Sequence, residues 1–134
     1  MTFRYPYTPD TESPTKESSL SAGVTQIFYT ANKHHDLLYN LGFDEAAGNM
    51  QADNFGRGGR GHDAVEIITQ HYSGKNNGYF TQTIDGRSPS MVMFLFNSTD
   101  PERDVAFDNG FVIHEYTHGC KPVLIGRTTI PTFL

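Results

Sequence analysis

The segment His114-Glu-Tyr-Thr-His118 constrains the fold more than any other feature of this sequence. Residues four apart lie on one face of an α-helix, so the two imidazoles can approach one ion only if the segment is helical. Neutral imidazole nitrogens bind zinc at about 2.0–2.1 Å. Glu115 would project beside such an ion, where a carboxylate can exchange protons with water. The pattern therefore predicts a helix with two metal ligands and a general base.

The same five residues can also occur without any metal chemistry. With six His among 134 residues, this pattern is expected by chance in about one sequence in a hundred. The alternative is an ordinary amphipathic helix whose histidines lie in solvent. The context favours the metal site, because the apolar run 111–113 precedes the motif and Gly119 follows it. That order is typical of a helix that packs on a sheet.

An earlier amphipathic helix is predicted at about residues 21–41. Its apolar face would carry Val24, Ile27, Phe28, Ala31, His35 and Leu38. Ser21 is the predicted N-cap, and Gly42 stands where a left-handed residue commonly ends a helix. On this face, His35 is expected to be a packed, hydrogen-bonded core histidine rather than a metal ligand.

Between the two helices, the sequence predicts short strands joined by turns. Residues 64–70 and 79–83 are typical of strands, the second at a sheet edge, and the apolar run 91–96 indicates a strand buried on both faces. The glycine-rich segment 56–61 resembles a phosphate-binding loop only superficially. Such a loop follows a strand and opens a helix, whereas this segment precedes a strand, so a flexible loop is expected.

The second helix is expected between Asp100 and Gly119. Asp100 or Asp104 is its predicted cap, and Pro101 suits its first turn. Residues 1–20, rich in Pro, Ser and Thr, are typical of an extended lead-in. The order of helix, strands and helix indicates an α+β fold.

Composition narrows the classes of function. The formal charge of −5 argues against a broad electrostatic grip on nucleic acid or on an anionic membrane, so neither is an expected partner. The single cysteine, Cys120, excludes an internal disulfide and a multi-cysteine metal site. The amino end has no apolar signal region, which leaves an intracellular protein or one whose original start is missing.

Four segments, in this order, resemble the fungalysin family of secreted fungal zinc endopeptidases: Thr25–Tyr39, Gly42–Asn49, Asn76–Phe80 and Val112–Gly119. The similarity covers about residues 3–119. The resemblance implies the N-terminal half of a thermolysin-like catalytic domain that uses Zn²⁺. It also implies hydrolysis of proteins or peptides by metal-activated water, and a full-length form made with its own propeptide.

The resemblance assigns roles to individual residues. His114 and His118 match the family's zinc ligands, and Glu115 matches its general base. Asn77 would lie on the edge strand that pairs with the substrate backbone, and Gly78 stands where the family usually has Ala. Such an edge is a natural peptide-binding surface, because its N–H and C=O groups are unpaired.

The sequence departs from the family after the motif. The family's third ligand is a glutamate on the next helix, but no Asp, Glu or His follows His118. Catalytic zinc normally has three protein ligands and a water. Cys120 is expected to face away from the ion. We therefore expect a lead-in at 1–20, a partial catalytic domain at 21–119 and a tail outside the family at 120–134, as in a truncated chain.

Three hypotheses of function follow. The first is a secreted zinc metalloendopeptidase, incomplete as written. The second is an inactive fragment that binds zinc or peptide weakly, and the third is an unrelated intracellular α+β protein. Asn97-Ser-Thr99 is a candidate glycosylation acceptor, which is consistent with secretion.

Overall fold

The computed structural model describes residues 3–120 of the chain. It contains two α-helices, α1 at Glu17–Asn40 and α2 at Asn109–His118. Between them lie five short strands: β1 at Glu66–Ile68, β2 at Gly78–Thr81, β3 at Ser90–Met93, β4 at Leu95–Phe96 and β5 at Arg103–Asp104. The predicted α+β class is confirmed. Neither of the described helices combines the length and the apolar character needed to cross a membrane.

The larger sheet has the strand order β1-β3-β2. β1 runs parallel to β3, whereas β2 pairs antiparallel with β3 in a register that sets Gly78 opposite Met93. β2 is therefore an edge strand among the described residues, as predicted. The apolar run 91–95 is buried, also as predicted, but it divides at Phe94 into β3 and β4. The run divides because β4 changes partner and pairs with β5.

α1 begins earlier than predicted, at Glu17. Ser21 is therefore not the N-cap; it lies inside the helix, where its carbonyl accepts a hydrogen bond from the Thr25 hydroxyl at 2.8 Å. An acidic residue in the first turn stabilises this earlier start, because the N-terminus of a helix carries partial positive charge. The last four residues of the predicted lead-in are consequently helical. The predicted end is confirmed: Gly42 has a φ of +98°.

The face that α1 buries is rotated from the predicted one. Its buried residues are Ser19, Gly23, Ile27, Thr30, Ala31 and His34. Of the predicted apolar face, Val24 is 49% exposed and Phe28 is 65% exposed. The reason is a close approach to the segment before α2: a Cβ on Gly23 would lie 2.8 Å from Oδ2 of Asp104. Small and polar residues therefore occupy this contact.

Because of this rotation, His34 rather than its neighbour His35 is the buried histidine of α1. His34 is buried, with 9% of its surface exposed. His35 keeps 21% of its side-chain surface exposed, and its Nε2 has no hydrogen-bond partner. Its Nδ1 bonds to the exposed Asp36 carboxylate at 3.4 Å. The prediction of a hydrogen bond is therefore confirmed, but the prediction that His35 lies in the core is wrong, because residues adjacent in a helix point in different directions.

An apolar groove of about 450 Å³ separates α1 from β1. Val24 and Phe28 line one side, and Val65 and Ile67 line the other. The residues that line it do not include the two motif histidines. Tyr116, the middle residue of the motif, does line it, so the groove lies beside the predicted ligands without including them.

α2 begins later than predicted. Its N-cap is Asp108, whose side chain accepts a hydrogen bond from a backbone N–H of the first turn at 3.1 Å. Asp104 instead caps a 3₁₀ turn at Val105–Phe107. The predictions of Asp100 or Asp104 as the cap, and of Pro101 in the first turn, are wrong because this turn precedes the helix.

The hydrophobic core lies where α1, α2 and the larger sheet meet. Two α2 residues enter it, Val112 and Tyr116, which are 0% and 3% exposed. The other buried members are Ile27, Ala31, Phe43, Met50, Met91, Met93, Val105, Ala106 and Cys120. Between these two positions Ile113 and His114 are exposed, whereas Glu115 is buried.

The glycine-rich segment 56–61 forms a loop that precedes β1, as predicted, and no helix starts from it. Gly59 adopts a φ of +59° and approaches the chain closely: an added Cβ would lie 2.0 Å from the Glu45 carbonyl oxygen. Gly56 has a similar φ of +69°, but nothing lies within 4 Å of its added Cβ. The two glycines therefore share a backbone conformation and differ in the space around them.

Replacing Gly59 with alanine is expected to lower the free energy of unfolding by about 2 kcal/mol more than replacing Gly56. Both variants carry the cost of a left-handed alanine, so the difference reports the close contacts of the added Cβ, chiefly with the Glu45 carbonyl and also with Asn54 Nδ2 at 3.1 Å. Urea denaturation followed by circular dichroism measures both losses. Equal losses would contradict the close approach.

Candidate metal centre

α2 brings the three residues of the predicted site together. The Nε2 atoms of His114 and His118 lie 3.1 Å apart, and the ring centroids are 4.8 Å apart with planes at 87°. The potential ligand atoms of these histidines and of Glu115 all lie within 4.8 Å of one another. One helical turn therefore presents two nitrogens and a carboxylate to a single small volume.

The separation of the two nitrogens fits a shared tetrahedral ion. Two nitrogens at about 2.0–2.1 Å from zinc are about 3.3 Å apart when the angle between them is tetrahedral. The observed distance of 3.1 Å is close to this value. His114 is exposed and His118 is half-buried, so an ion can reach both rings from solvent. Imidazole nitrogen suits zinc and neighbouring divalent transition metals.

Glu115 lies on the buried side of the motif, with 6% of its surface exposed. Within residues 3–120, no salt bridge reaches its carboxylate. No basic side chain of the described part of the chain therefore pairs with this carboxylate, which lies beside the two histidines.

Two side chains that sequence reasoning missed contact the last turn of α2. The Gln82 amide donates a hydrogen bond to the His118 carbonyl oxygen. On the opposite side, His34 Nε2 lies 3.0 Å from the Thr117 hydroxyl. Burial lowers the pKa of His34 below its usual value, so this ring is neutral at pH 7. The sequence signal was the pair of adjacent histidines on α1, which did not reveal which ring faces inward.

Cys120 lies in the hydrophobic core and is fully buried. Burial raises the pKa of its thiol to about 11. A metal ligand must be the thiolate, which this environment disfavours. Its place agrees with the expectation that it faces away from the ion, and it is not among the clustered ligand atoms of the described residues.

The predicted substrate-binding residues lie where β2 approaches α2. Asn77 is exposed, and its carbonyl accepts a hydrogen bond from the Phe94 N–H at 3.1 Å. Gly78 is buried, and an added Cβ would lie 2.8 Å from the Val92 carbonyl oxygen and 2.9 Å from the Phe111 ring. The structure thus places Gly78 close to Phe111 of α2 and leaves the outer edge of β2 without a strand among the described residues.

Asn97, the candidate glycosylation acceptor, is exposed just after β4. Its Oδ1 accepts a hydrogen bond from the Asn76 amide at 2.7 Å. It lies outside the cluster of metal-ligating atoms.

Two histidines one turn apart, with a buried glutamate between them, on a helix beside an open sheet edge, define the class of HExxH metallopeptidases. The sequence assigns the chain to one family within that class. It matches the fungalysin metallopeptidase (M36) family over residues 1–130. The chain belongs to this family. The match extends beyond the motif segments and includes most of the last fifteen residues.

Several curated fungal proteins are similar to this chain. Extracellular metalloproteinase mep of Aspergillus terreus is 49% identical over 126 residues, 94% of this chain and 20% of the relative. Extracellular metalloproteinase MEP of Pyricularia oryzae is 50% identical over 124 residues, 92% of this chain and 19% of the relative. Extracellular metalloproteinase 4 of Arthroderma otae is 48% identical over 94% of this chain and 19% of the relative. The chain spans about a fifth of the length of the curated relatives it matches.

Proposed function

We propose that this chain carries the metal-binding helix of a secreted zinc endopeptidase and forms part of a thermolysin-like catalytic domain. The observation that carries the proposal is the 3.1 Å separation of the His114 and His118 Nε2 atoms, which suits a shared ion. The names of the relatives, all extracellular metalloproteinases, support both peptide hydrolysis and secretion. The substrates would be proteins or peptides.

In this proposal each residue of the motif has one task. His114 and His118 would hold Zn²⁺ through their Nε2 atoms, and the metal, when bound, would supply a Lewis acid for the scissile carbonyl. Glu115, which has no salt-bridge partner within residues 3–120, accepts a proton from the attacking water. It then donates that proton to the leaving amine, so its charge is restored after each turnover.

The substrate would bind along the outer edge of β2. An extended peptide can pair with the unpaired N–H and C=O groups of an edge strand. Asn77 is exposed at the start of this edge. The contact between Gly78 and Phe111 fixes the edge against the first turns of α2, which sets the distance from the peptide to the metal.

The described cluster provides two nitrogen ligands, and a catalytic zinc normally has three protein ligands. No Asp, Glu or His follows His118 in the sequence. We propose that the third ligand, a glutamate in the family, comes from a part of the whole protein that this sequence does not contain. The boundary between a catalytic segment at 21–119 and a tail at 120–134 remains a prediction.

The presence of only two nitrogen ligands in the described cluster favours a second candidate function. With two imidazoles and no further acidic residue after the motif, the chain alone would bind zinc weakly and present the β2 edge without turnover. The affinity would then be in the micromolar range, far weaker than that of a complete zinc site.

Replacing Glu115 with glutamine tests the catalytic role. The amide keeps the size of the side chain but cannot take up a proton. We expect zinc binding equal to that of the parent chain and a loss of at least about a hundredfold in any peptide hydrolysis that the parent shows. A quenched fluorescent peptide and a zinc titration measure the two effects on the same samples.

The outcomes separate the two functions. Cleavage by the parent chain that disappears in Glu115→Gln supports the peptidase. Zinc binding without cleavage in the parent supports the binding fragment. Equal cleavage by both chains contradicts the role of Glu115.

A further inference from the structure

Two buried polar residues of α1 contact the two ends of α2. At the start of α2, the Thr30 hydroxyl donates to Asn109 Oδ1 at 2.9 Å. At its end, His34 Nε2 lies 3.0 Å from the Thr117 hydroxyl. Thr30 and His34 are 7% and 9% exposed, and they lie one turn apart on α1. Gln26 also donates to Asn109 Oδ1, at 3.1 Å. The contact between the helices thus has hydrogen bonds near both ends of α2, two at its start and one at its end.

The direction of the His34 bond follows from the second bond of Thr117. The Thr117 hydroxyl donates its proton to the Ile113 carbonyl at 2.7 Å, so toward His34 it can only accept. His34 therefore donates from Nε2, and the neutral ring carries its proton there. The chain of bonds runs from α1 through Thr117 to the carbonyl of the residue that precedes His114.

The last turn of α2 needs such support. Within the described residues the helix ends at His118, which is itself one of the two proposed ligands. Terminal turns fray, and a helix of ten residues is marginal without tertiary contacts. If this turn opens, the two imidazoles separate. Ligand distances in a plausible zinc site lie within about 0.2 Å of their usual values, so even a small opening of this turn would disturb the site.

We propose that His34 is a positioning residue for the metal centre: through Thr117, it holds the last turn of α2 closed and keeps the His118 ring beside the His114 ring. This inference rests on the proposed function of the motif. Gln82, which donates to the His118 carbonyl, supports the same turn from the opposite side. His34 touches neither the metal site nor the substrate edge, so its effect is indirect.

The test compares two substitutions at the same interface. His34→Phe removes the bond to the last turn. Thr30→Val removes a bond to Asn109 at the first turn, where Gln26 still donates to the same oxygen. We expect His34→Phe to weaken zinc binding about tenfold, at the lower end of the effect of groups that orient metal ligands. Thr30→Val should bind zinc as the parent does. His34→Gln, which keeps an N–H donor near the position of Nε2, should restore most of the affinity.

Thermal unfolding by circular dichroism accompanies each titration, because both substitutions remove a buried hydrogen bond. A purely structural role would lower stability and zinc affinity alike in His34→Phe and Thr30→Val, and that result would overturn the inference. Unchanged affinity in His34→Phe would overturn it as well. If His34→Phe does not fold, Thr117→Val removes the same bond with almost no change in volume.

A second measurement needs no metal. In the zinc-free chain, nuclear Overhauser contacts between the His114 and His118 rings should persist in the parent and in Thr30→Val and disappear in His34→Phe. Retained contacts in His34→Phe would overturn the positioning role even if zinc does not bind. Failure of the parent to bind zinc would instead refute the proposed function of the motif.

Discussion

Replacing His114 with alanine is expected to weaken zinc binding by about a hundredfold, because the described cluster offers two nitrogens and loses one. The second histidine would then hold the ion alone, as any surface imidazole does. His114 is exposed on α2, so the substitution should leave the fold intact. Isothermal titration with zinc at pH 7, with unfolding measured in parallel, gives both quantities.

His71→Ala is the matched control. His71 lies outside the cluster, and its ring bonds to Ser73 at 2.8 Å instead. It should bind zinc as the parent does. His118→Ala should reproduce the His114→Ala result, since the two rings contribute equally. Zinc affinity that survives both motif substitutions would refute a metal site on α2.

Replacing Val112 with aspartate is expected to have the largest effect on stability. Val112 is 0% exposed and lies in the core between the two helices and the sheet. A carboxylate there loses its hydration, and its burial should cost about 4 kcal/mol or more. Domains of this size are typically stable by about 5–15 kcal/mol, so most of the margin would be lost. Urea denaturation followed by circular dichroism measures the change.

Ile113→Asp is the control for this substitution. Ile113 is the next residue of α2 and is 39% exposed, so the new carboxylate stays in contact with water. Both variants carry the same change in helix propensity and nearly the same position in the helix. Ile113→Asp should therefore unfold at a urea concentration close to that of the parent. Equal losses for the two variants would show that α2 does not pack as described.

The helical conformation of α2 could be predicted from sequence because the signal for it lies within five neighbouring residues. His114 and His118 are useful to one ion only at helical spacing, so the chemistry itself dictates the secondary structure. The sheet was predictable for a similar reason, since the apolar run 91–96 suits a strand covered on both faces. In each case a few neighbouring residues carry the information.

The packing of α1 could not be predicted in the same way. Its apolar residues include Val24 and Phe28, which face the groove beside β1. The contact with α2 instead uses Thr30 and His34, and Gly23 packs against the segment just before α2. Hydrophobic periodicity identifies apolar positions on a helix, but it does not show which neighbouring element they contact. It cannot identify a contact made by a glycine and hydrogen-bonding side chains, because their partners are distant in sequence.

The start of α2 shows a second limit. Asp100, Asp104 and Asp108 are all acceptable caps, and the sequence gives no reason to prefer the last. The choice depends on the 3₁₀ turn at Val105–Phe107, whose Val105 and Ala106 are buried in the core. Tertiary packing therefore decides where the helix begins.

The contact between His34 and Thr117 joins residues 83 positions apart. Contacts over such a distance form late in folding, because the chain must first close a large loop at a cost in entropy. Individual turns and hairpins form much sooner. The two imidazoles would therefore acquire their final arrangement only near the end of folding, when most of the chain is already compact, so a half-folded molecule should capture metal poorly.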